Sequence, residues 1–395
     1  MVIETVPKAS RVARGAFLKA DGPITVDNWQ DPPFNRWGFS HVAEMVTTAV
    51  VSRHPPTELT EERSGLPTSD TVAAIITDGF LEETHTEAFL VMRGQEVLHE
   101  RYLGAARPTD RHLLMSVSKS LCALVVGRLV GQGLIDPGVT VPSYVPDLAS
   151  GAYGLATVQQ VLDMTVSVDY SEDYHNPAAH VHEQDRVAGW RPSHDGDPAD
   201  TYEFLTTLQP AGEHGRVFQY CSASTDVLAW IVENVTGRRY ADVLGSELWS
   251  RLGCSEDATV TVDRGGVAFA NGGIACTARD LARVGRLVLD GGRVRGEEVV
   301  PRAWIEDTKT GGDRAAAEGT VFQRIHPRGS YRNQWWTTGD DRGTFYATGI
   351  HGQFLWLDPT SDVTVVKLSS LPVAVTEETS RKHAEAFNAL TRALA

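Results

Sequence analysis

The sequence predicts an α+β protein: one antiparallel sheet built from both chain ends and flanked by helices, plus an inserted, mainly helical lobe. Three observations carry this. A strand–turn–strand pattern occupies 88–99, four β-rich runs follow within 331–369, and the stretch between is dominated by helical patterning and cap signals. Strands at both ends with helices between them close into one sheet when the ends meet. On this reading residues 1–118 and 265–395 form the sheet domain and 119–264 the helical domain. The active site is expected at their seam, where clefts form.

Taken in order, residues 1–50 read as an arm rich in turn residues, carrying Trp29, Pro32-Pro33 and Trp37. A loop spans Arg53 to Asp70, and Thr71–Ile76 begins a short helix. Ala88–Met92, the turn Arg93-Gly94-Gln95 and Glu96–His99 form a hairpin. The apolar run Leu121–Val126 marks a buried helix that ends near Gly131–Gly133. Thr157-Val158-Gln159-Gln160 is a capping-box start, Asp197-Pro198-Ala199-Asp200 opens another helix, and Ser224–Thr236 is a third, stopped by Gly237. Asp169 to Pro198 is long, aromatic and polar, which in a compact protein marks a binding loop or lid. The strand runs Tyr331–Thr338, Thr344–Ile350, Gln353–Leu357 and Asp362–Ser369 follow. Thr376–Leu394 is an amphipathic helix with Ala384, Phe387, Leu390 and Leu394 on one face.

Bulk composition removes several function classes. The chain has 395 residues, is 42% hydrophobic and has no low-complexity tract, so it is an ordinary globular protein. A net charge of −15, with no basic cluster, argues against nucleic acid and anionic membrane as partners. Cys122, Cys221, Cys254 and Cys276 show no paired spacing and read as buried thiols. There is no apolar h-region near Met1 and no run long enough to span a membrane, so a cytoplasmic location is expected.

Four stretches could carry chemistry. Ser116 and Lys119 lie three residues apart at the start of the buried helix, on one face. Burial and the helix's positive end both favour a neutral lysine, which would give the serine a base. The same residues also fit a capped core helix with a snorkelling lysine. Tyr220-Cys221-Ser222 precedes a capped helix; Tyr220 could relay the serine proton or simply pack at a loop–helix junction. Ala347–Gln353 offers a strand-edge N–H for an oxyanion hole, or a plain bulge. His180-Val181-His182, near Glu183 and Asp185, invites a metal, but a solvated loop is favoured because no metal-site spacing accompanies it. No G-x-S-x-G, G-x-G-x-x-G or P-loop pattern is present.

The order Ser116…Lys119, Tyr220…Ser222, then Thr348-Gly349 resembles the serine β-lactamase/DD-peptidase fold family, with its S-x-x-K, Y-x-N and K-T-G blocks. Gly133–Pro137 leading to Tyr144–Leu148, and Gly272–Arg283, also look like stretches of that family. Within it the chain is similar to the amidases of linear 6-aminohexanoate (nylon) oligomers and to related carboxylesterases. Asp27–Gln30, Leu114–Lys119, Gln334-Trp335-Trp336, His351–Gln353 and Val366–Ser370 all fit.

The resemblance implies Ser116 as nucleophile, Lys119 as its base and Tyr220 as proton relay, with the N–H groups of Ser116 and Ile350 as oxyanion hole. It also implies a lid at 174–190: Tyr174 on the scissile amide, Trp190 closing over the substrate, Asp185 holding a free ammonium. Ser222 and Asn271 complete the substrate-side positions. No cofactor and no metal are implied. The partner is a small-molecule amide or ester, the assembly a homodimer.

Two departures bear on specificity. Ser222 replaces the asparagine of Y-x-N, and Ala347 stands where K-T-G has lysine. The second removes the partner of a β-lactam carboxylate, whereas Asp185 suits a substrate bearing an amine. The expected activity is therefore amide hydrolysis of amino-terminated oligomers with carboxylesterase activity. The alternatives are a general carboxylesterase and, from another class, an acylated but non-hydrolysing ligand sensor.

Overall fold

The computed structural model describes residues 23–53 and 66–395. The parts of the arm and of the first loop at 1–22 and 54–65 lie outside the described residues. In chain order the strands are β1 (Thr48–Val51), β2 (Thr86–Arg93), β3 (Glu96–Tyr102), β4 (His112–Leu113), β5 (Ala258–Thr261), β6 (Ile274–Cys276) and β7 (Arg293–Val294). They continue as β8 (Glu297–Glu298), β9 (Ser330–Arg332), β10 (Trp335–Thr337), β11 (Phe345–Gly349), β12 (Gln353–Asp358) and β13 (Val363–Ser369).

The main sheet runs β3-β2-β13-β12-β11-β10-β9, every pair antiparallel. Its centre is the pairing of β2 with β13, so the first and last thirds of the chain meet there. These strands are buried on both faces, and their period-2 alternation sorts side chains between two layers. Phe89, Val91, Phe354, Trp356, Val363 and Val365 pack with Phe387 and Leu390 of the C-terminal helix Glu377–Ala393. Leu90, Leu355, Leu357, Val366 and Leu368 join the larger core on the opposite face. There the helix Ala278–Leu289 lies directly on the sheet. A Cβ at Gly285 would stand 2.6 Å from Thr364 Cγ2 and 3.0 Å from Leu355 Cδ1, so only glycine permits that approach.

A second sheet, β1-β5-β6-β4, sets the start of the central helix Val117–Gly131. That helix is buried nearly all round, with Leu121, Cys122, Leu124, Val125 and Val126 at 0–1% exposure, as expected of a helix apolar on every side. Each buried Leu or Val contributes roughly 1.5–3 kcal/mol of hydrophobic stabilisation. The helix Ser222–Thr236 packs against it and ends on Gly237 in the left-handed region at φ 65°.

The structure departs from the sequence reading at four places. The strand signal returns at Ala258, earlier than 265, because β5 pairs with β1 from the N-terminal part. The helix expected to open at Asp197 is capped by Asp200 and spans Thr201–Thr207, while Asp197 is taken up by Arg186. The 169–198 stretch is not all loop: His180–Val187 is helical, so the His180/His182 pair sits on a helix rather than on a solvated loop. The run 331–338 is a hairpin whose two turn residues, Asn333 (φ 49°) and Gln334 (φ 62°), both have positive φ.

Gln334 is more than a turn residue. Its backbone N–H donates to the Leu162 carbonyl, its Nε2 to the carbonyls of Val161 and Leu162, and its Oε1 accepts from Thr225. Its own carbonyl accepts from Ser120 Oγ at 2.6 Å. The main sheet and three helices thus share one buried amide. Gln334→Leu strands the Thr225 hydroxyl and removes the side-chain donor to the Val161 and Leu162 carbonyls, and should lower stability by about 1–3 kcal/mol in urea denaturation. A loss under about 1 kcal/mol would contradict this role.

Candidate active site

The site grows out of the turn between β4 and the central helix. Leu114 continues the sheet edge by donating to the Ile274 carbonyl at 2.8 Å. Met115 then takes a left-handed φ of 49°, and Ser116 sits at the N-cap with its side chain free of any capping bond. A β-region cap would turn that hydroxyl onto the helix N–H groups. Here it faces a cavity of about 240 Å³ instead.

Lys119 is one turn further on, and only 1% of it is exposed. Its Nζ is 2.9 Å from Ser116 Oγ and donates to the Asn271 carbonyl, also at 2.9 Å. Burial holds this amine below the ordinary lysine range, against the negative charges of Glu172 and Asp226. A neutral amine keeps an N–H for the Asn271 carbonyl and can turn its lone pair to the serine proton. Tyr220 completes the group, with its ring centroid 5.1 Å from Lys119 Nζ and its hydroxyl hydrogen-bonded to Ser116. Burial pushes that phenol above its usual range, so it keeps its proton. The ring is stacked on Trp336 at 5.7 Å and edge-on to Tyr331.

β11 runs against this turn. A Cβ at Gly349 would lie 2.6 Å from the Leu114 carbonyl oxygen and 2.9 Å from the Ser116 nitrogen. The strand end therefore lies against the Ser116 backbone, and Ile350, the next residue, lines the cavity beside Ser116. Two backbone N–H groups on adjoining segments are what stabilising an oxyanion requires.

Tyr174, Asp185, Trp190, Ser222 and Asn271 also line the cavity. Asp185 is buried, and loss of hydration raises its carboxyl to about 6, opposed by Arg191, whose Nε is 3.1 Å from Oδ2. The expected free anionic anchor is thus already shared with a guanidinium from this chain. Trp190 does not stand open as a flap. Only 3% of it is exposed, wedged between Trp29 and Phe269, with its indole N–H on Thr261 Oγ1 at 3.0 Å. Trp29 also donates to its carbonyl, so the N-terminal arm pins this end of the lid.

Three functional neighbours escaped the sequence reading. Glu172 accepts from Tyr174 OH at 2.6 Å, and from Ser222 through both Oγ at 2.6 Å and N–H at 2.8 Å. Ser222, at the position where the family pattern has an asparagine, is thus held by Glu172. Gln184 and Asp226 form a buried pair beside Asn271. None of these carries a spacing signal, because, the Glu172–Tyr174 contact apart, their partners are remote in sequence. Among the described residues no group of three or more His, Cys, Asp or Glu side chains is placed to hold a metal ion.

The arrangement brings together a serine hydroxyl, a buried amine, a buried phenol and backbone N–H groups, the kinds of group that acyl transfer uses. Comparison with known proteins agrees. Residues 78–389 match the beta-lactamase family model. The chain is 55% identical to the 6-aminohexanoate-dimer hydrolase of Paenarthrobacter ureafaciens over 355 residues, 89% of this chain and 90% of that protein. It is 28% identical to Esterase EstB of Burkholderia gladioli over 186 residues, 44% of this chain and 47% of that one. A solved Bacillus anthracis structure, assigned as a 6-aminohexanoate-dimer hydrolase, superposes with a TM-score of 0.81 at 27% identity. It covers 94% of this chain and 97% of its own. With this fold and more than three quarters of its length matched by the family model, the chain belongs to the beta-lactamase family.

Proposed function

We propose that this chain is a serine hydrolase that cleaves the amide bond of linear 6-aminohexanoate oligomers through an acyl-enzyme on Ser116, with carboxylesterase activity on small esters. One observation carries the reading: a buried carboxylate, Asp185, shares the cavity of the serine that Lys119 and Tyr220 face. The 55% identity to a 6-aminohexanoate-dimer hydrolase supports the substrate class. The esterase relative supports the second activity.

In this reading Lys119 takes the Ser116 proton as Oγ attacks the amide carbonyl. The N–H groups of Ser116 and Ile350 hold the oxyanion, and Tyr220, kept protonated by burial, delivers a proton to the leaving amine and takes its replacement from the Lys119 ammonium. The C–N bond breaks, the carboxylate-bearing half leaves as an amine, and water then cleaves the Ser116 ester. The acyl half carries the ammonium, which Asp185 binds. A general carboxylesterase with another natural substrate would use the same centre without needing Asp185.

We further infer that the protein works in the cytoplasm, where its four buried cysteines persist as the free thiols seen here. No helix among the described residues is long and apolar enough to cross a membrane. The assembly is inferred to be a homodimer; a single-chain mass in light scattering at micromolar concentration would contradict it.

The test of the substrate is Asp185→Asn, assayed on linear 6-aminohexanoate dimer and on p-nitrophenyl butyrate. Loss of a charge-assisted contact should lower kcat/KM for the amide by about 10- to 100-fold and leave the neutral ester within a few-fold. In the unaltered protein, KM for the dimer should rise as pH falls through about 6, where Asp185 gains its proton, with no matching rise for the ester. Equal losses on both substrates would remove the ammonium role.

A further inference from the structure

Asp226 is a buried carboxylate that acyl transfer at Ser116 leaves without a task. It lies on the helix Ser222–Thr236, one turn past Ser222, and is 1% exposed. Its Oδ1 accepts from the Asn271 N–H at 3.1 Å, and its Oδ2 accepts from Asn271 Nδ2 and from Gln184 Nε2, both at 2.7 Å. A buried carboxylate with three donors and no cation in contact is costly unless its geometry is used.

Each partner leads back to the site. Asn271 is the residue whose carbonyl accepts from Lys119 Nζ. Gln184 sits on the lid helix His180–Val187, next to Asp185, and its Oε1 accepts from Tyr170 OH at 2.5 Å. The helix that carries Asp226 begins immediately after Tyr220 and its N-cap Cys221. One side chain thus ties together the floor that orients the base, the helix that carries the ammonium site and the element that starts at the relay tyrosine.

We propose that Asp226 is a positioning residue for this hydrolysis: it holds the Asn271 carbonyl against Lys119 and fastens the lid helix over the substrate cavity. The proposal rests on reading Ser116 and Lys119 as nucleophile and base. The donors cannot be matched by an amide of the same shape, because a carboxamide presents one acceptor oxygen and one NH₂ group where three N–H groups converge. The charge matters as well. Lys119 is faced by Asp226 from this helix, by Glu172 from the segment after Tyr170, by the Cys221 thiol and by the Tyr220 ring. Burial raises the Asp226 carboxyl to about 7, so its charge acts above that pH; there, removing it leaves Glu172 as the nearby carboxylate favouring the protonated amine, and Lys119 loses its proton at lower pH.

The experiment is Asp226→Asn, with melting followed to establish folding, assayed on both substrates across pH beside Ser116→Ala. In folded Asp226→Asn, kcat on p-nitrophenyl butyrate should fall by about 10- to 100-fold through misplacement of the base. The acidic limb of kcat/KM should move to lower pH by about half a unit or more. A purely structural role would not move that limb. A folded variant with the wild-type limb, or with kcat within about twofold of wild type, overturns the proposal while leaving Ser116 untouched. Activity persisting in Ser116→Ala would instead overturn the reading beneath it. If Asp226→Asn does not fold, Gln184→Leu decides. A KM for the amide raised several-fold, with the acidic limb unmoved, supports the lid fastening, and a wild-type KM overturns it.

Discussion

Everything in the site depends on keeping one lysine dry. A fully buried ammonium would be very costly, and among the described residues Lys119 has no carboxylate in direct contact; it meets a carbonyl, a serine hydroxyl and an aromatic face. Burial holds the amine below the ordinary lysine range, and an amine that gives up its proton 2.9 Å from a serine is a base. The buried helix, the left-handed turn at Met115 and the glycine at 349 read as consequences of placing that pair. The helix supplies burial, the turn faces the hydroxyl outward, and the glycine lets a strand edge reach the Ser116 backbone.

Specificity is written in the second layer of charges. The carboxylates of Glu172, Asp185 and Asp226 surround the group, each held by N–H or O–H donors and none in contact with Lys119. On the proposed reading, the charges they carry would disfavour an anionic acyl group and favour a cationic one. Ala347, in place of a lysine, belongs to the same logic. The pairing of Asp185 with Arg191 sets a condition on the proposed contact: an ammonium bound there would share or displace a guanidinium already in place.

What the sequence disclosed follows from range. The hairpin at 88–99, the strand runs within 353–369, the Thr157 cap, the amphipathic run 376–394 and the Gly237 stop are local signals, and each corresponds to an element found. The Ser116–Lys119 contact was also legible, since three residues on a helix share a face. The lid helix His180–Val187 was not: its polar, histidine-rich run has no cap signal, and Ala179 at its N-cap makes no side-chain bond. Asp197 was misread as a cap because Asp200, three residues later, carries the same chemistry, and only tertiary pairing with Arg186 distinguishes them. Glu172, Gln184, Asp226 and Gln334 stayed hidden because their partners lie far off in the chain, and no short-range pattern encodes such contacts.

The central claim is that Ser116, made nucleophilic by a neutral Lys119, carries the acyl group. The most direct test is to quench the reaction with p-nitrophenyl butyrate at its earliest times and map the protein by mass spectrometry. The account predicts butyrylation confined to the peptide containing Ser116, abolished in Ser116→Ala, and accumulating more slowly in Lys119→Met with the same site. An acyl group on another residue, or undiminished turnover by Ser116→Ala, would contradict it.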